Sequence, residues 1–317
     1  MRRSEQGIAL LIVLWVMTIL MAMVLSFSLM TRAETYGTLT FKERMERQFL
    51  AEAGIERGIA EMIYRSVNVG QTVILEGKEV WKTDGTAYYG RLGNGSYVIR
   101  IFDETGKISL NGLTDASGII VKQLLVNLGS SPEEADTIVD SILDWKDEDD
   151  LHRLYGAEND YYESLPRPYK VRNDDFQSLE ELTLIRGITS DILYGAGSRK
   201  GLIHFLTLYN ETSMINLNAA PREVLAALPG MDASLADQVV EFRQSVDIET
   251  PEEIMHILGG AYPLMESYVK GKAGTALVCT LEVAGYRDTE KSGYPIRATV
   301  RLEGPDKYRY LYYRSPG

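Results

Sequence analysis

The sequence predicts an α+β fold: one long N-terminal helix, an antiparallel β-sheet and a large all-α domain inserted between two β regions. Three patterns in its 317 residues predict this fold. An uncharged apolar run near the N-terminus continues into a helix-compatible segment. Apolar and polar residues alternate around residue 100 and again after residue 274, as is typical of strands. Between these regions the pattern is helical, with several helix-start signals.

The first element is an apolar run of about 23 residues, 8–30, with no charged residue between Gly7 and Arg32. About 20 apolar residues suffice to cross the hydrocarbon core of a bilayer as a helix. Arg2 and Arg3 precede the run. We therefore expect a single-pass protein whose short N-terminus stays in the cytoplasm and whose remainder is exported.

The residues before the run indicate a processing site. A secretory signal peptide would have a shorter apolar core, followed by a small-residue cleavage site. Here a cut between Gly7 and Ile8 would remove a basic leader, residues 1–7, and leave the helix attached. An ordinary membrane anchor without cleavage is the alternative interpretation of the same segment.

Residues 31–65 remain helix-compatible, which extends the apolar run to one helix of about 57 residues, roughly 85 Å long. We expect its outer half to pack on the globular part and to leave an apolar stripe partly uncovered for partner subunits. The stripe consists of Met45, Phe49, Ile59 and Ile63, which recur at helical spacing together with Ala53. Gly54 and Gly58 weaken a helix, but their spacing permits close approach by another element.

Two β regions flank the helical part of the sequence. Residues 97–102 are predicted to form a strand, and a turn separates them from a second short strand at 107–110. Near the C-terminus, residues 296–302 alternate and residues 308–313 return as a partner strand. Isolated hairpins are marginal, so we expect both regions to form one sheet around an insert. The predicted segments are 31–113 for the helix and first β part, 114–273 for the insert, and 274–317 for the second β part.

The insert is predicted to contain several short helices joined by glycine-containing turns. Three segments fit the capping box, in which Ser or Thr is followed three residues later by Glu, at 131–134, 178–181 and 250–253. Proline stands at the first helical position in two of them, which strengthens the prediction of a helix start.

The composition narrows the class of partner. The formal net charge of −12 disfavours a nucleic-acid backbone as the main partner, because such binding depends on clustered Lys and Arg. The same excess of acidic residues is compatible with the binding of divalent cations. The single cysteine, Cys279, excludes an intramolecular disulfide, and its apolar surroundings predict a small buried hydrophobe.

The densest acidic run, residues 144–150, is the candidate metal site. Crowded carboxylates repel one another unless they are solvated or share a cation, and hard oxygen ligands suit Ca²⁺. The run does not match an EF-hand loop, and a merely solvated acidic loop is the alternative. The long loop at 151–173 favours calcium, since such a loop usually needs something to hold it. The candidate ligands, with Asp144 and Asp160 first, are Asp144, Asp147, Asp149, Asp150, Glu158 and Asp160.

Residues 215–243 look like a helix-hairpin-helix element. Nucleic-acid-binding members use a Gly-hydrophobic-Gly turn to offer backbone N–H groups to a phosphate, but here Asp232 replaces the second glycine. Between Ala219 and Arg243, two basic residues stand against four acidic ones, a net charge of −2. We expect a structural domain of SAM or helix-hairpin-helix type that binds no nucleic acid. Residues 178–188 look like a second copy.

Residue patterns typical of catalysis are missing from the sequence. Three histidines, His152, His204 and His256, lie far apart without the spacing of a zinc site. There is no Gly-x-Ser-x-Gly elbow. The glycines near residue 195 are not followed by the Gly-Lys-Ser or Gly-Lys-Thr of a phosphate loop. The sequence therefore predicts a protein that is not an enzyme.

The leader, the acidic loop and the segment 215–225 together resemble the minor pseudopilins of type II secretion systems. Among these, the chain is most similar to the general secretion pathway protein K family, over nearly its full length. The most specific motifs are Leu143-Asp144-Trp145 with the acids that follow it, the stretch 156–162, and Ser178-Leu179-Glu180-Glu181-Leu182.

This resemblance implies a pilin-like long helix and sheet with an inserted domain that binds structural calcium. It implies cleavage and N-methylation at Ile8 by prepilin peptidase, and a place in the bacterial inner membrane with the C-terminal domain in the periplasm. It also implies assembly with the minor pseudopilins I and J at the tip of the pseudopilus. There the protein would initiate assembly and help to export folded proteins across the outer membrane.

One residue departs from the general pilin pattern. Most pilin-like proteins carry Glu as the fifth residue of the mature chain, where this chain has Ile12. A carboxylate inside the bilayer is costly unless it is paired, and a tip subunit has no subunit ahead whose amine could pair with it. Proteins of the K family share this feature, so the departure supports the resemblance.

Two other functions remain as alternatives. A minor pilin of a type IV or DNA-uptake pilus would share the leader but should lack the inserted α domain. A membrane-anchored helix-hairpin-helix DNA-binding protein should carry a basic hairpin, whereas the hairpin here is acidic.

Overall fold

The computed structural model describes residues 3–67, 81–210, 213–271, 277–288, 292–304 and 307–316. Helix α1 (Arg3–Val67) is 65 residues long, so the predicted long N-terminal helix is confirmed. From Leu10 it is long and apolar enough to cross a membrane. Its side chains become buried only from Leu50 onward, where α1 packs on a β-sheet.

The sheet has five antiparallel strands, as predicted in kind. They lie side by side in chain order as β1 (Asp84–Leu92), β2 (Gly95–Asp103), β3 (Val278–Arg287), β4 (Tyr294–Leu302) and β5 (Tyr308–Arg314). Strands β2 and β3 pair although the whole insert separates them in sequence. Sequence alternation does not predict β1, because its glycines and consecutive tyrosines interrupt the apolar–polar pattern.

Between β2 and β3 the chain forms a mostly helical region with its own hydrophobic core. Its α-helices are α2 (Gly118–Asn127), α3 (Pro132–Lys146), α4 (Asn159–Glu163), α5 (Ser190–Tyr194), α6 (Arg222–Leu225), α7 (Ala233–Ser245), α8 (Met255–Leu258) and α9 (Tyr262–Met265). Its 3₁₀ helices are Glu104–Gly106, Leu179–Leu184, Leu202–His204, Pro251–Ile254, Gly259–Ala261 and Glu266–Tyr268. It also contains paired two-residue strands, so it is not purely helical: Ile108–Ser109 with Leu206–Thr207, Gly195–Ala196 with Arg199–Lys200, and Ile215–Asn216 with Val269–Lys270.

The core of the insert begins before residue 114. The short strand Ile108–Ser109 pairs in parallel with Leu206–Thr207 rather than with the main sheet. Ile108 and Leu110 both lie in the insert's core. The expected turn after β2 forms the 3₁₀ helix Glu104–Gly106, which leads the chain out of the main sheet. The second strand that we assign to the first β region therefore belongs to the insert.

All three predicted helix starts are present, but only two have capping boxes. At 131–134 and 178–181 the serine and glutamate make reciprocal bonds between side chain and backbone. At 250–253 the Thr250 side chain makes no capping bond. The first segment begins α3, whereas the other two begin 3₁₀ helices.

The close approach predicted at Gly54 and Gly58 brings α1 directly onto the sheet. A Cβ atom at Gly54 would overlap the side chain of Val283, and one at Gly58 would overlap Leu281. Both partners lie on β3, the central strand. Cys279 is fully buried on the same strand, in the apolar environment expected for it.

The stripe of α1 that is predicted to stay partly uncovered is only partly exposed. Ile59 is buried and Ile63 packs beside the core, but Phe49 is 58 % exposed. The buried face is lined by Leu50, Ala51, Ile55, Ile59 and Met62. The difference arises because the sheet approaches along the two glycines rather than along the row of larger side chains.

Buried polar contacts join the insert to the sheet. Asn216 Nδ2 donates to Asp103 Oδ2 at 3.2 Å. Arg243, which is 4 % exposed, lies 3.8 Å from Asp84 at the start of β1. Each contact links a residue of the insert to a strand of the main sheet, so the two cores are held together by paired polar groups.

Candidate metal site in the insert

The acidic run lies where α3 ends and a long loop begins. Ile138 and Ile142 bury one face of α3 in the insert's core, which carries Asp144 into the interior. Asp144 is fully buried, and Asp147 forms the end of the helix. Charges in such a position need partners, because burying an unpaired carboxylate is costly.

Arg153 supplies part of that compensation. Its Nη1 atom lies 2.8 Å from Asp144 Oδ1 and 2.5 Å from Asp147 Oδ2. Its Nε atom lies 2.9 Å from Asp115 Oδ1. Gly156 packs against the Asp144 carboxylate so closely that a Cβ atom there would overlap it. Arg153 is not among the residues predicted for the site. The sequence feature that could have indicated its role is that this arginine closely follows a run of acidic residues.

Glu158 is the least compensated acid of the group. It is 2 % exposed, and neither carboxylate oxygen has a hydrogen-bond partner among the described residues. Burial, followed by the negative charges of Asp144, Asp147 and Asp150, raises the pKa of Glu158 to about 7. This carboxyl group therefore favours either a proton or a nearby cation.

Four buried oxygens near the end of α3 have no hydrogen-bond partner in the described part of the chain: Asp147 Oδ1, both carboxylate oxygens of Glu158, and Asn173 Oδ1. Asn173 has φ 51°, and its N–H donates to the Trp145 carbonyl at 3.1 Å, which holds it beside the helix end. The sequence predicts residue 173 only as the end of a loop. The tolerance of asparagine for the left-handed region was the one available signal.

Three of the predicted ligands make other contacts. Asp149 accepts a hydrogen bond from the N–H of Leu151 at 2.8 Å. Asp150 accepts one from an asparagine side chain at 3.0 Å. Asp160 is exposed, and its carboxylate lies 2.9 Å from His152 Nε2. Asp149 and Asp160 are therefore directed to local contacts in the loop.

Asp144, Asp147 and Asp150 all lie close enough to Glu158 for their charges to raise its pKa, so the structure brings four of the six predicted ligands near one another. No three His, Cys, Asp or Glu side chains among residues 3–67, 81–210, 213–271, 277–288, 292–304 and 307–316 are placed to hold a metal ion by themselves. The unpaired oxygens come instead from two carboxylates and one amide. Such hard donors are the chemical type that Ca²⁺ selects.

The predicted processing residues lie at the start of α1. Gly7 and Ile8 fall within the helix, but their side chains are outside the described part of the structure. Further along, Ile12 is 57 % exposed and Trp15 is 69 % exposed. An apolar surface of this extent needs lipid or other helices around it.

The hairpin region uses its charged groups internally. The turn between α6 and α7 contains Gly230, with φ 77°, and Asp232 caps α7 by accepting from the N–H of Leu235 at 2.8 Å. Arg222 Nη2 lies 2.7 Å from Asp237 Oδ2. Asp232 thus occupies one of the N–H groups that a phosphate-binding hairpin would leave open.

The second basic residue of the hairpin is also engaged. The Nη1 atom of Arg243 donates to the carbonyls of Leu217 at 2.8 Å and Ala220 at 2.7 Å. Its side chain is buried between the hairpin and β1. Neither arginine of the hairpin is therefore directed at an outside ligand.

Comparisons with known proteins agree with this organisation. Residues 106–195 match the sequence model of the family described as type II secretion system (T2SS), protein K. Type II secretion system protein K of Pseudomonas aeruginosa is 28% identical over 77% of this chain and 74% of its own length. The corresponding protein of Pectobacterium carotovorum subsp. carotovorum is 25% identical over 77% of this chain and 76% of its own length.

A solved structure has the same fold. It is a chain in the crystal structure of the GspK-GspI-GspJ complex from the type 2 secretion system of enterotoxigenic Escherichia coli. The TM-score is 0.59 at 14% sequence identity, and the match covers 90% of this chain and 99% of that one. Residues 106–195 thus match the model of type II secretion system protein K, and the whole chain is similar in sequence and in fold to proteins of that name.

Proposed function

We propose that this protein tips the pseudopilus of a type II secretion system, initiates its assembly and helps to export folded proteins across the outer membrane. The observation that supports the proposal is the difference in burial between the two halves of α1. Its outer half is packed on the sheet, whereas its apolar half, from Leu10 to Met30, has no buried side chain. The exposed half suits a bilayer before assembly and neighbouring helices after it. The proposed role is one of association, without a catalytic step.

The proposed topology follows from the charges that flank the apolar run. Arg2 and Arg3 support a topology in which the N-terminus lies on the cytoplasmic side of a bacterial inner membrane and the sheet and insert lie in the periplasm. The insert, with its SAM- or helix-hairpin-helix-like turns, widens the subunit beyond the helix and sheet. A wide subunit suits the end of a filament, where no further subunit has to stack on it.

Prepilin peptidase is expected to cut this chain between Gly7 and Ile8 and to methylate the new N-terminus. The basic leader lies at the cytoplasmic edge of the membrane, where the peptidase acts in the proposed topology. Mass spectrometry of the protein extracted from membranes should show N-methylated Ile8. An intact Met1, or a cut beyond Leu29, would refute the prepilin assignment. Gly7→Leu is a matched variant that should retain the leader.

The proposed partners are the minor pseudopilins I and J of the same system. The similar solved chain belongs to a complex of GspK with GspI and GspJ. On this chain, Phe49 is 58 % exposed and Met45 only half-buried on the outer half of α1, and both would be covered by a partner helix. We expect the full-length protein in detergent to co-elute with I and J as a ternary complex.

The same preparation should not bind DNA. Asp232 caps α7 and both hairpin arginines are engaged, so the hairpin offers no site to a phosphate. Duplex DNA binding is measured at about 50 mM salt, where non-specific electrostatic binding is strong. Tight DNA binding without pseudopilin association would favour the DNA-uptake alternatives instead.

We also propose that the insert holds a structural calcium ion beside the end of α3. The unpaired oxygens of Asp147, Glu158 and Asn173 support this proposal, because buried polar atoms in proteins rarely lack a partner. Asp144 and Asp150 add negative charge close by. A bound cation would neutralise these acids and join the end of α3 to the long loop that follows it.

A further inference from the structure

The face of the sheet opposite α1 carries a row of charged residues that crosses four strands. Arg100 on β2 lies opposite Glu282 on β3, and Glu282 lies opposite Arg297 on β4. Arg297 in turn lies opposite Arg314 on β5. Three arginines and one glutamate therefore form a line perpendicular to the strands.

This charged row lies in a groove of about 660 Å³. Its other walls are largely apolar and include Val98, Ala284, Tyr286, Pro295 and Pro316. One rim is fixed, because the carbonyl of Pro316 accepts hydrogen bonds from Arg44 at 3.0 Å and from the Tyr294 hydroxyl at 2.8 Å. The groove is thus already shaped in the isolated chain, which reduces the cost of binding.

The positive charge of the row is only partly neutralised. Arg297 and Arg314 face each other directly across β4 and β5, and like charges in that arrangement are destabilising. The single acid, Glu282, lies 3.8 Å from Arg297, at the limit of an ion pair. Within the described residues, the side chains of Arg100 and Arg314 make no hydrogen bond or ion pair. Three arginines and one glutamate give the row a local net charge of +2, which suits an anionic partner.

We propose that this groove binds an extended acidic segment of a partner protein, with carboxylates at every second residue. Three strand spacings separate Arg100 from Arg314, or about 14 Å. Alternate residues of an extended chain lie about 6.8 Å apart on one face, so carboxylates at i and i+4 lie about 14 Å apart, which matches the two outer arginines. Arginine pairs with carboxylates through two parallel hydrogen bonds, which suits this match.

In the proposed membrane topology, the distance of the groove from the membrane surface favours a protein segment over lipid headgroups as the ligand. The inner face of the same strands packs on α1 at Gly54 and Gly58. Arg44, which holds one rim of the groove, lies 12 residues beyond Arg32, or about 18 Å of helix, and Gly54 lies 22 residues beyond Arg32, or about 33 Å. Surface charges are largely screened beyond about 8–10 Å at physiological salt.

The test uses the full-length protein in non-ionic detergent and a fluorescent peptide of alternating glutamate and serine. We expect salt-sensitive binding that Arg100→Gln and Arg314→Gln each weaken about tenfold or more. Arg309→Gln is the matched control, since Arg309 lies on the same strand but pairs with Glu303 at 2.9 Å. Equal losses in all three variants, or equal binding of a peptide with glutamine in place of glutamate, would overturn the proposal.

Two further measurements distinguish a peptide groove from a general anion site and from a structural role of Arg314. Inorganic phosphate or vesicles of anionic lipid that compete as well as the peptide would show a general anion site and overturn the proposal. Arg314→Gln should leave the melting temperature unchanged or raise it, because a repulsive pair is removed; a fall would mark Arg314 as structural and overturn the proposal. If the peptide binds but no complex with I and J forms, the proposed function fails and this inference stands. If the complex with I and J forms but the peptide does not bind, this inference alone is overturned.

Discussion

Chelation of calcium should destabilise the full-length protein. In EDTA, the oxygens of Asp147, Glu158 and Asn173 lose the cation proposed for them, and buried negative charge is left uncompensated. At an ion concentration about 100 times Kd, binding contributes about 2.7 kcal/mol to the free energy of unfolding. Melting curves in detergent with calcium and with EDTA measure the difference. An unchanged melting temperature would contradict a structural calcium ion.

This calcium effect should grow with pH. The pKa of Glu158 in the folded protein is about 7, above its ordinary value of 4.5. Without calcium, its contribution to stability is therefore most favourable below about pH 4.5 and is lost as the pH rises through about 7. Calcium replaces the proton and so binds more strongly across the same window. The gap between the calcium and EDTA melting temperatures should be wider at about pH 8 than at about pH 5.5.

Two variants test which carboxylate is responsible for the effect of calcium on stability. Glu158→Gln removes the buried charge, so in EDTA above about pH 7 it should be at least as stable as the original protein and should respond little to calcium. Asp160→Asn is the control, because Asp160 is exposed and paired with His152. It should keep the calcium response. A response lost in Asp160→Asn but kept in Glu158→Gln would place the ion at the surface of the loop instead.

Gly58→Leu should strongly destabilise the packing of α1 on the sheet. Even a Cβ atom at this position would overlap the side chains of Ile99 and Leu281, and a leucine adds three further carbons. Overpacked cores typically lose about 1–3 kcal/mol, and here the helix would have to move away from two central strands. Denaturant unfolding of the full-length protein measures the loss.

Gly37→Ala is the matched control for this prediction. It lies on the same helix, but no atom is within 4 Å of the position that its Cβ would take. Removing a glycine from a helix interior should stabilise the protein by about 0.5–1 kcal/mol. Effects of the same sign at both positions would show that contact with the sheet does not decide the outcome.

Local patterns in the sequence predicted α1 and three of the five strands of the main sheet, β2, β4 and β5, but assigned neither β1 nor the central strand β3. The uncharged run and the helical continuation predicted α1, and strict alternation predicted β4 at 296–302. Capping boxes located the starts of two helices in the insert, including α3. These features succeed because periodicity and capping depend on residues within a few positions of each other. β1 has no such regularity, and only its pairing with β2 makes it a strand.

The candidate metal site was predicted as a region but not as a set of atoms. The density of acids between 144 and 160 located it, yet spacing could not tell that Glu158 is buried while Asp160 is exposed. Nor could it predict that Arg153 folds back onto Asp144, or that Asn173 joins the group from the far end of the loop.

The amino-acid order alone determined the long helix, the two β regions and the acidic loop, because each follows from contacts close in sequence. The tertiary structure decided which side chains of different elements contact one another. The two glycines of α1, rather than Phe49, face the sheet because β3 passes over them, and three arginines from three strands form one row because of strand register. Burial and register depend on residues far apart in the chain, and no local pattern encodes them.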